Sequence, residues 1–80
     1  MTTLHSSAEI ISYVKSLSRF IRDVKITRIY QEGFYFEVKA SGWYHYFFEN
    51  RLRNLIQKKL EERMIIGIEF RFHIYSTELF

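Results

Sequence analysis

The stretch GFYFEVKASGWYHYFFENRLRNLIQKKL, residues 33–60, decides the fold of this chain. Its first part alternates apolar and polar positions, with Phe34, Phe36, Val38 and Ala40 on one side of an extended segment. The chain then crosses Ser41-Gly42, and from Trp43 onward the spacing becomes helical. A switch of period from two to about three and a half within a few residues marks a strand-to-helix junction. The remaining segments read as packing for this unit.

Upstream, Ser6-Ser7-Ala8-Glu9 fits a capping box, in which the serine accepts an amide three residues on and the glutamate reaches back. Ile10, Tyr13, Val14, Leu17, Phe20 and Ile21 then share one helical arc, with Lys15, Arg19 and Arg22 opposite. The spacing predicts a surface helix over residues 7–21. Val24–Tyr30 is rich in β-branched and aromatic residues and reads as a strand, 24–30. Gln31-Glu32-Gly33, with a glycine expected at positive φ, turns it into a hairpin with a second strand, 34–41. No glycine or proline interrupts Trp43–Ile66, so propensity favours one helix, 43–64, of roughly 30 Å.

The apolar face of that helix does not hold still. Phe48, Leu52, Leu55 and Ile56 share an arc, while Trp43 and Phe47 lie nearly opposite. Either the helix breaks near Glu49-Asn50, or its first turns are clasped on two sides, by the sheet and by the first helix. The continuous, doubly clasped helix is the expectation, with Trp43 a buried anchor. Gly67 is a stop signal, and Ile68, Phe70, Phe72 and Ile74 alternate with Glu69, Arg71, His73 and Tyr75. This predicts a third strand, 67–75, with one buried face and one wet face. A 30 Å helix returning over it places that strand parallel to the second. The fold class is therefore α+β, in the order α-β-β-α-β, with a mixed three-stranded sheet and helices packed on one face.

Composition sets the limits. Eighty residues make one domain, and hydrophobic residues at 48% with aromatics at 19% supply a dense core rather than a disordered chain. There is no cysteine, which excludes disulfides and thiolate zinc sites. No apolar run is long enough to span a bilayer, and the N-terminal residues lack the pattern of a signal peptide, so no membrane partner is expected and the location expected is cytoplasmic. The net charge of +3 permits an anionic partner without demanding one.

Chemistry-bearing constellations are missing from the sequence. His5, His45 and His73 stand apart without carboxylates at metal-ligand spacing. Phosphate-cradling glycine loops, hydrolase elbows and metalloprotease pairs are absent too. Glu61-Glu62 beside Lys58, Lys59 and Arg63 reads as helix ion pairing. No catalytic residues, metal, cofactor or small-molecule substrate are expected, which leaves binding.

Basic residues collect as Lys15, Arg19, Arg22, Lys25 and Arg28, then as Arg51, Arg53, Lys58, Lys59 and Arg63. Tyr30, Tyr35, Tyr44, His45 and Tyr46 are interleaved with them. Cations that track phosphates, with rings that stack bases, are the chemistry of single-strand binding. The candidate nucleic-acid contacts are Lys15, Arg19, Arg22, Lys25, Arg28, Arg51, Arg53, Lys58 and Lys59, and the candidate stacking or partner residues are Tyr35, Tyr44, Tyr46, Leu79 and Phe80. The same charges also fit ordinary solvated faces, and the same rings fit core or rim positions.

An aromatic strand after a glycine, Ser-x-Trp opening a helix, Leu-x-x-Leu-Ile-x-x-x-Leu and Ile-x-Phe-x-Phe together resemble the DciA family. The pattern falls on Gly33, Phe34, Phe36, Val38, Ser41, Trp43, Leu52, Leu55, Ile56, Leu60, Ile68, Phe70 and Phe72, about half of the chain. These are small bacterial proteins with a KH-like domain that recruit or load the replicative helicase. The resemblance implies a KH-like, type II-like fold and an adaptor role in DNA replication, with the helicase as partner and weak contact to single-stranded DNA. A KH domain clamps nucleotides with a GxxG loop, whereas Gly33, Gly42 and Gly67 are isolated, so that clamp is not expected here. Two alternatives remain: a protein-interaction module without a nucleic-acid role, and a KH-like protein binding ribosomal or other structured RNA. The last residues, Ser76–Phe80, resemble the Leu-Phe end of the short motif with which replication proteins dock on the sliding clamp, with Ser76 where glutamine is usual. Read blandly, Leu79 and Phe80 cover a core edge or fray.

Overall fold

Helix, hairpin, helix and strand follow one another in a computed structural model that describes residues 6–64 and 67–78. The elements are α1 (Ser7–Ser16), β1 (Ile21–Tyr30), β2 (Gly33–Ala40), α2 (Gly42–Arg63) and β3 (Glu69–Tyr75). The sheet order is β1-β2-β3, with β1 antiparallel and β3 parallel to β2. Both helices lie on one face, so the α+β class, the α-β-β-α-β order and the mixed sheet are as the sequence predicts, and the arrangement is compatible with a KH-like description.

The central strand carries the alternation that fixes everything else. Phe34, Phe36, Val38 and Ala40 are buried under the helices, while Tyr35, Glu37 and Lys39 point the other way and are half-buried. In register with them, Val24 and Ile74 are buried at either side of Val38. From α2, Leu52, Ile56 and Leu60 close the core, and from α1 Ile10 and Val14. Each fully buried side chain of this kind contributes about 1.5–3 kcal/mol. Tyr13 Oη donates to the Lys59 carbonyl at 3.4 Å and lies under the Arg63 guanidinium, which ties α1 to the second half of α2.

Three boundaries differ from the sequence reading by more than one residue, each for a local reason. Ser6 caps α1 by accepting the Glu9 amide at 3.2 Å, as predicted, but α1 ends at Ser16 rather than at 21. Ser16 Oγ donates back to the Tyr13 carbonyl at 2.6 Å and Ser18 Oγ accepts the Phe20 amide at 3.1 Å. Serine hydroxyls that satisfy backbone groups in this way compete with the helix. Released from the helix, Ile21 starts β1 three residues before the expected Val24, and the Ser41 amide donates to the Phe20 carbonyl at 2.9 Å. Extra residues then shift the β1 register between Ile21 and Asp23 and again between Ile26 and Arg28.

The hairpin link is Gln31-Glu32, and none of the turn residues, Gly33 included, has positive φ. Glycine is needed at 33 for another reason: a Cβ there would stand 2.2 Å from the Glu69 carbonyl oxygen, where β3 enters beside β2 and its amide donates to the Glu32 carbonyl at 2.8 Å. Positive φ occurs at Gly67 instead, at 97°, so β3 begins at Glu69 rather than at 67.

The long helix is neither continuous nor clasped on two sides. Phe48 leaves helical geometry (φ −129°, ψ 24°), which kinks α2 one residue before the Glu49-Asn50 break that the sequence offered as its alternative. Three successive aromatic residues, Tyr46-Phe47-Phe48, have modest helix propensity, and neither proline nor glycine stands at the kink. Tyr44 packs against the core, and Phe48 is half-buried beside it, their ring centres 5.2 Å apart. Trp43, Tyr46 and Phe47 are exposed, at 43%, 69% and 65%. Trp43 is thus not the buried anchor expected of it.

Candidate nucleic-acid interface

The sheet face opposite the helices gathers what the sequence scattered. Register places Arg28, Tyr35 and Arg71 in one row across the three strands, Lys25, Glu37 and His73 in the next, and Asp23, Lys39 and Tyr75 in a third. Side chains alternate along strands, so these rows share the uncovered face. Tyr35 lines two hollows. One, of about 290 Å³, also has Tyr30, Glu69 and Arg71 in its wall. The other, of about 490 Å³, has Thr27, Arg28, Tyr30 and Glu37. Tyr35 therefore stands between the two guanidiniums, with Tyr30 beside it at the end of the hairpin. The His73 and Tyr75 rings lie nearly parallel, 6.5 Å apart at 4°.

Electrostatically the face is mixed. Lys25, Arg28, Lys39 and Arg71 stand against Asp23, Glu37 and Glu69, and Asp23 is already 4.0 Å from Lys15. Among the described residues those four cations make no ion pair. The surface offers unengaged positive charge around aromatic rings, in an amount suited to weak, salt-sensitive contact with an anionic chain.

The other candidates lie elsewhere. Lys15, Arg19 and Arg22 do not form a helical stripe, because α1 ends before two of them. Lys15 is on α1, Arg19 in the connection with its guanidinium 5.1 Å from the Phe20 ring centre, and Arg22 on β1. Arg22 is committed: its Nε donates to Glu78 Oε2 at 3.0 Å, while Glu78 Oε1 accepts the Gly42 amide at 3.3 Å. Glu78 thereby caps the start of α2, where the buried Ser41 side chain makes no capping bond.

On α2, Arg51 lies over Phe48, and Arg53 lies over Phe72 and 3.7 Å from Glu49. Lys58 and Lys59 sit on the helical side without ion pairs among the described residues, and Glu61 accepts from Gln57 at 2.6 Å instead of pairing with them. Tyr44 is a packing residue, stacked on Phe20 at 4.3 Å and 13°. Tyr46 is exposed beside Phe47, on the helix rather than on the sheet face. Leu79 and Phe80 lie outside the described residues, as does His5.

Of the sequence candidates, the open face thus joins Lys25, Arg28 and Tyr35. It adds Lys39, Arg71, His73 and Tyr75, which sequence proximity did not point to. The outward phase of the third strand, visible in its alternation, was the available signal for the last three. No family model, curated protein or solved structure matches the chain.

Proposed function

We propose that this chain is a DciA-like adaptor of bacterial DNA replication: a cytoplasmic KH-like module that docks on the replicative helicase and touches single-stranded DNA weakly. The observation that supports the nucleic-acid part is the open sheet face, where Lys25, Arg28, Lys39 and Arg71 surround Tyr30 and Tyr35 without ion pairs among the described residues. The helicase part rests on the resemblance of residues 33–74 to the family pattern and is an argument by analogy. On this reading the protein partner takes the helical side, where Trp43, Tyr46 and Phe47 present large exposed rings of the kind enriched at protein interfaces.

Two measurements test it. Titration of labelled single-stranded DNA at low and at raised salt should give weak binding that falls steeply with salt. A pull-down from bacterial extract should retain the replicative helicase. Retention of the helicase with no single-strand binding leaves a protein-interaction module, the reading that the near balance of charge on the sheet face favours. Preference for structured RNA, without helicase, turns the assignment to the RNA-binding alternative.

A further inference from the structure

We infer that the Arg28–Tyr35–Arg71 row is a nucleotide subsite: one unpaired base stacks on Tyr35, and the phosphates on its two sides are held by Arg28 and Arg71. The inference rests on the proposed single-strand contact and says where, and how, it is made. The three residues come from three different strands and are fixed in register, Arg28 with Tyr35 and Tyr35 with Arg71. Adjacent strands are about 4.8 Å apart, so the two arginine backbones lie roughly 10 Å apart with the tyrosine midway. A backbone that crosses the strands meets a cation, a ring and a cation in succession. Stacking needs a free π-face, and cation–phosphate contact needs guanidiniums not already neutralised; both arginines are exposed and without ion pairs among the described residues.

The carboxylates of the face set the strandedness. Glu37 lies in the neighbouring row and Glu69 borders the hollow beside Arg71. A duplex would offer Tyr35 no unstacked base and would bring a second phosphate backbone toward these carboxylates. One strand threaded along the row avoids both costs. The row therefore selects single-stranded nucleic acid over duplex. It reads a base and its phosphates, which DNA and RNA share.

The test compares labelled oligo-dT, oligo-U, a duplex and an abasic DNA strand of equal length by fluorescence anisotropy, between about 50 and 200 mM salt. The wild type should bind both single strands better than the duplex and the abasic strand. Tyr35→Leu, which keeps an apolar strand residue but removes the ring, should weaken oligo-dT binding roughly 5- to 150-fold and leave the salt slope unchanged. Tyr35→Phe should bind as the wild type does. Arg28→Ala and Arg71→Ala should each lower the slope of log affinity against log salt by about 0.7. Equal binding of abasic and normal strands, or wild-type affinity in Tyr35→Leu, overturns the subsite while leaving a single-strand contact elsewhere. No binding of any single strand by the wild type overturns both readings. If Tyr35→Leu fails to fold, the two arginine slopes decide: unchanged slopes reject the row.

Discussion

Residues that look alike in the sequence carry different loads once their exposure is known. Phe36 is fully buried between β1 and β3 under the helices, whereas Trp43 is 43% exposed and touches Phe20 edge-on at 4.9 Å. Phe36→Ala is expected to cost about 3–5 kcal/mol, as truncation of a core aromatic does. Trp43→Ala should cost only about 1–2 kcal/mol, the scale of an edge-to-face contact plus partial burial. Urea unfolding of the two variants checks this, and equal losses would mean that Trp43 is a core residue after all. Gly33 makes the opposite point, since the constraint there is space rather than conformation. A methyl group at 33 meets the Glu69 carbonyl at 2.2 Å, and backbone has little room to give. Gly33→Ala should therefore destabilise by about 1–3 kcal/mol, the range for overpacking. A neutral Gly33→Ala would show that β3 enters the sheet more loosely than described.

Elements were legible where a period ran unopposed and illegible where side chains competed with it. The alternation of Phe34, Phe36 and Val38 faced no rival, and that strand lies within one residue of the expected 34–41 at each end. The arc from Ile10 to Ile21 kept helical spacing, yet Ser16 and Ser18 turn their hydroxyls to the backbone and end α1 at Ser16. In α2 the drift of the apolar face was visible, but its cause was not. The kink at Phe48 separates a core-facing half, led by Leu52, Ile56 and Leu60, from a half whose Trp43 and Phe47 face outward. The start of α2 is also held by a residue far off in sequence. Glu78 joins the Gly42 amide to the Arg22 side chain, which makes a carboxylate the cap of the helix. Glu78→Ala should cost about 1 kcal/mol, as loss of a helix cap does. Glu78→Gln should cost less, because its amide oxygen still accepts the Gly42 N–H. Thermal melts at two salt concentrations read both variants. A silent Glu78→Ala would remove the clasp between β1, the α2 N-terminus and the segment after β3.

At the scale of the whole molecule, neighbours in sequence were a poor guide to neighbours in space. The two basic runs look equivalent along the chain, but the fold sends Lys25 and Arg28 to the open sheet face and Lys58 and Lys59 to the helical side. The meeting of Arg28, Tyr35 and Arg71 depends on β3 returning beside β2 after the 22 residues of α2, a long-range event that no local spacing encodes. This separation allows a test of whether binding follows position or only net charge. Lys25→Gln with Lys39→Gln and Lys58→Gln with Lys59→Gln each remove two positive charges, taking the formal net charge from +3 to +1. All four are outside the buried core, so both double variants should keep their stability within about 0.5 kcal/mol for each substitution. If the sheet face holds the strand, the first pair lowers single-strand affinity and flattens the salt slope by about 0.7 for each phosphate no longer neutralised, while the second pair changes little. A field that acts through net charge alone would weaken both variants equally, because their long-range charge is the same. Equal weakening would therefore remove the sheet face as the specific site, and only greater weakening in the second variant would move the nucleic acid onto the helices.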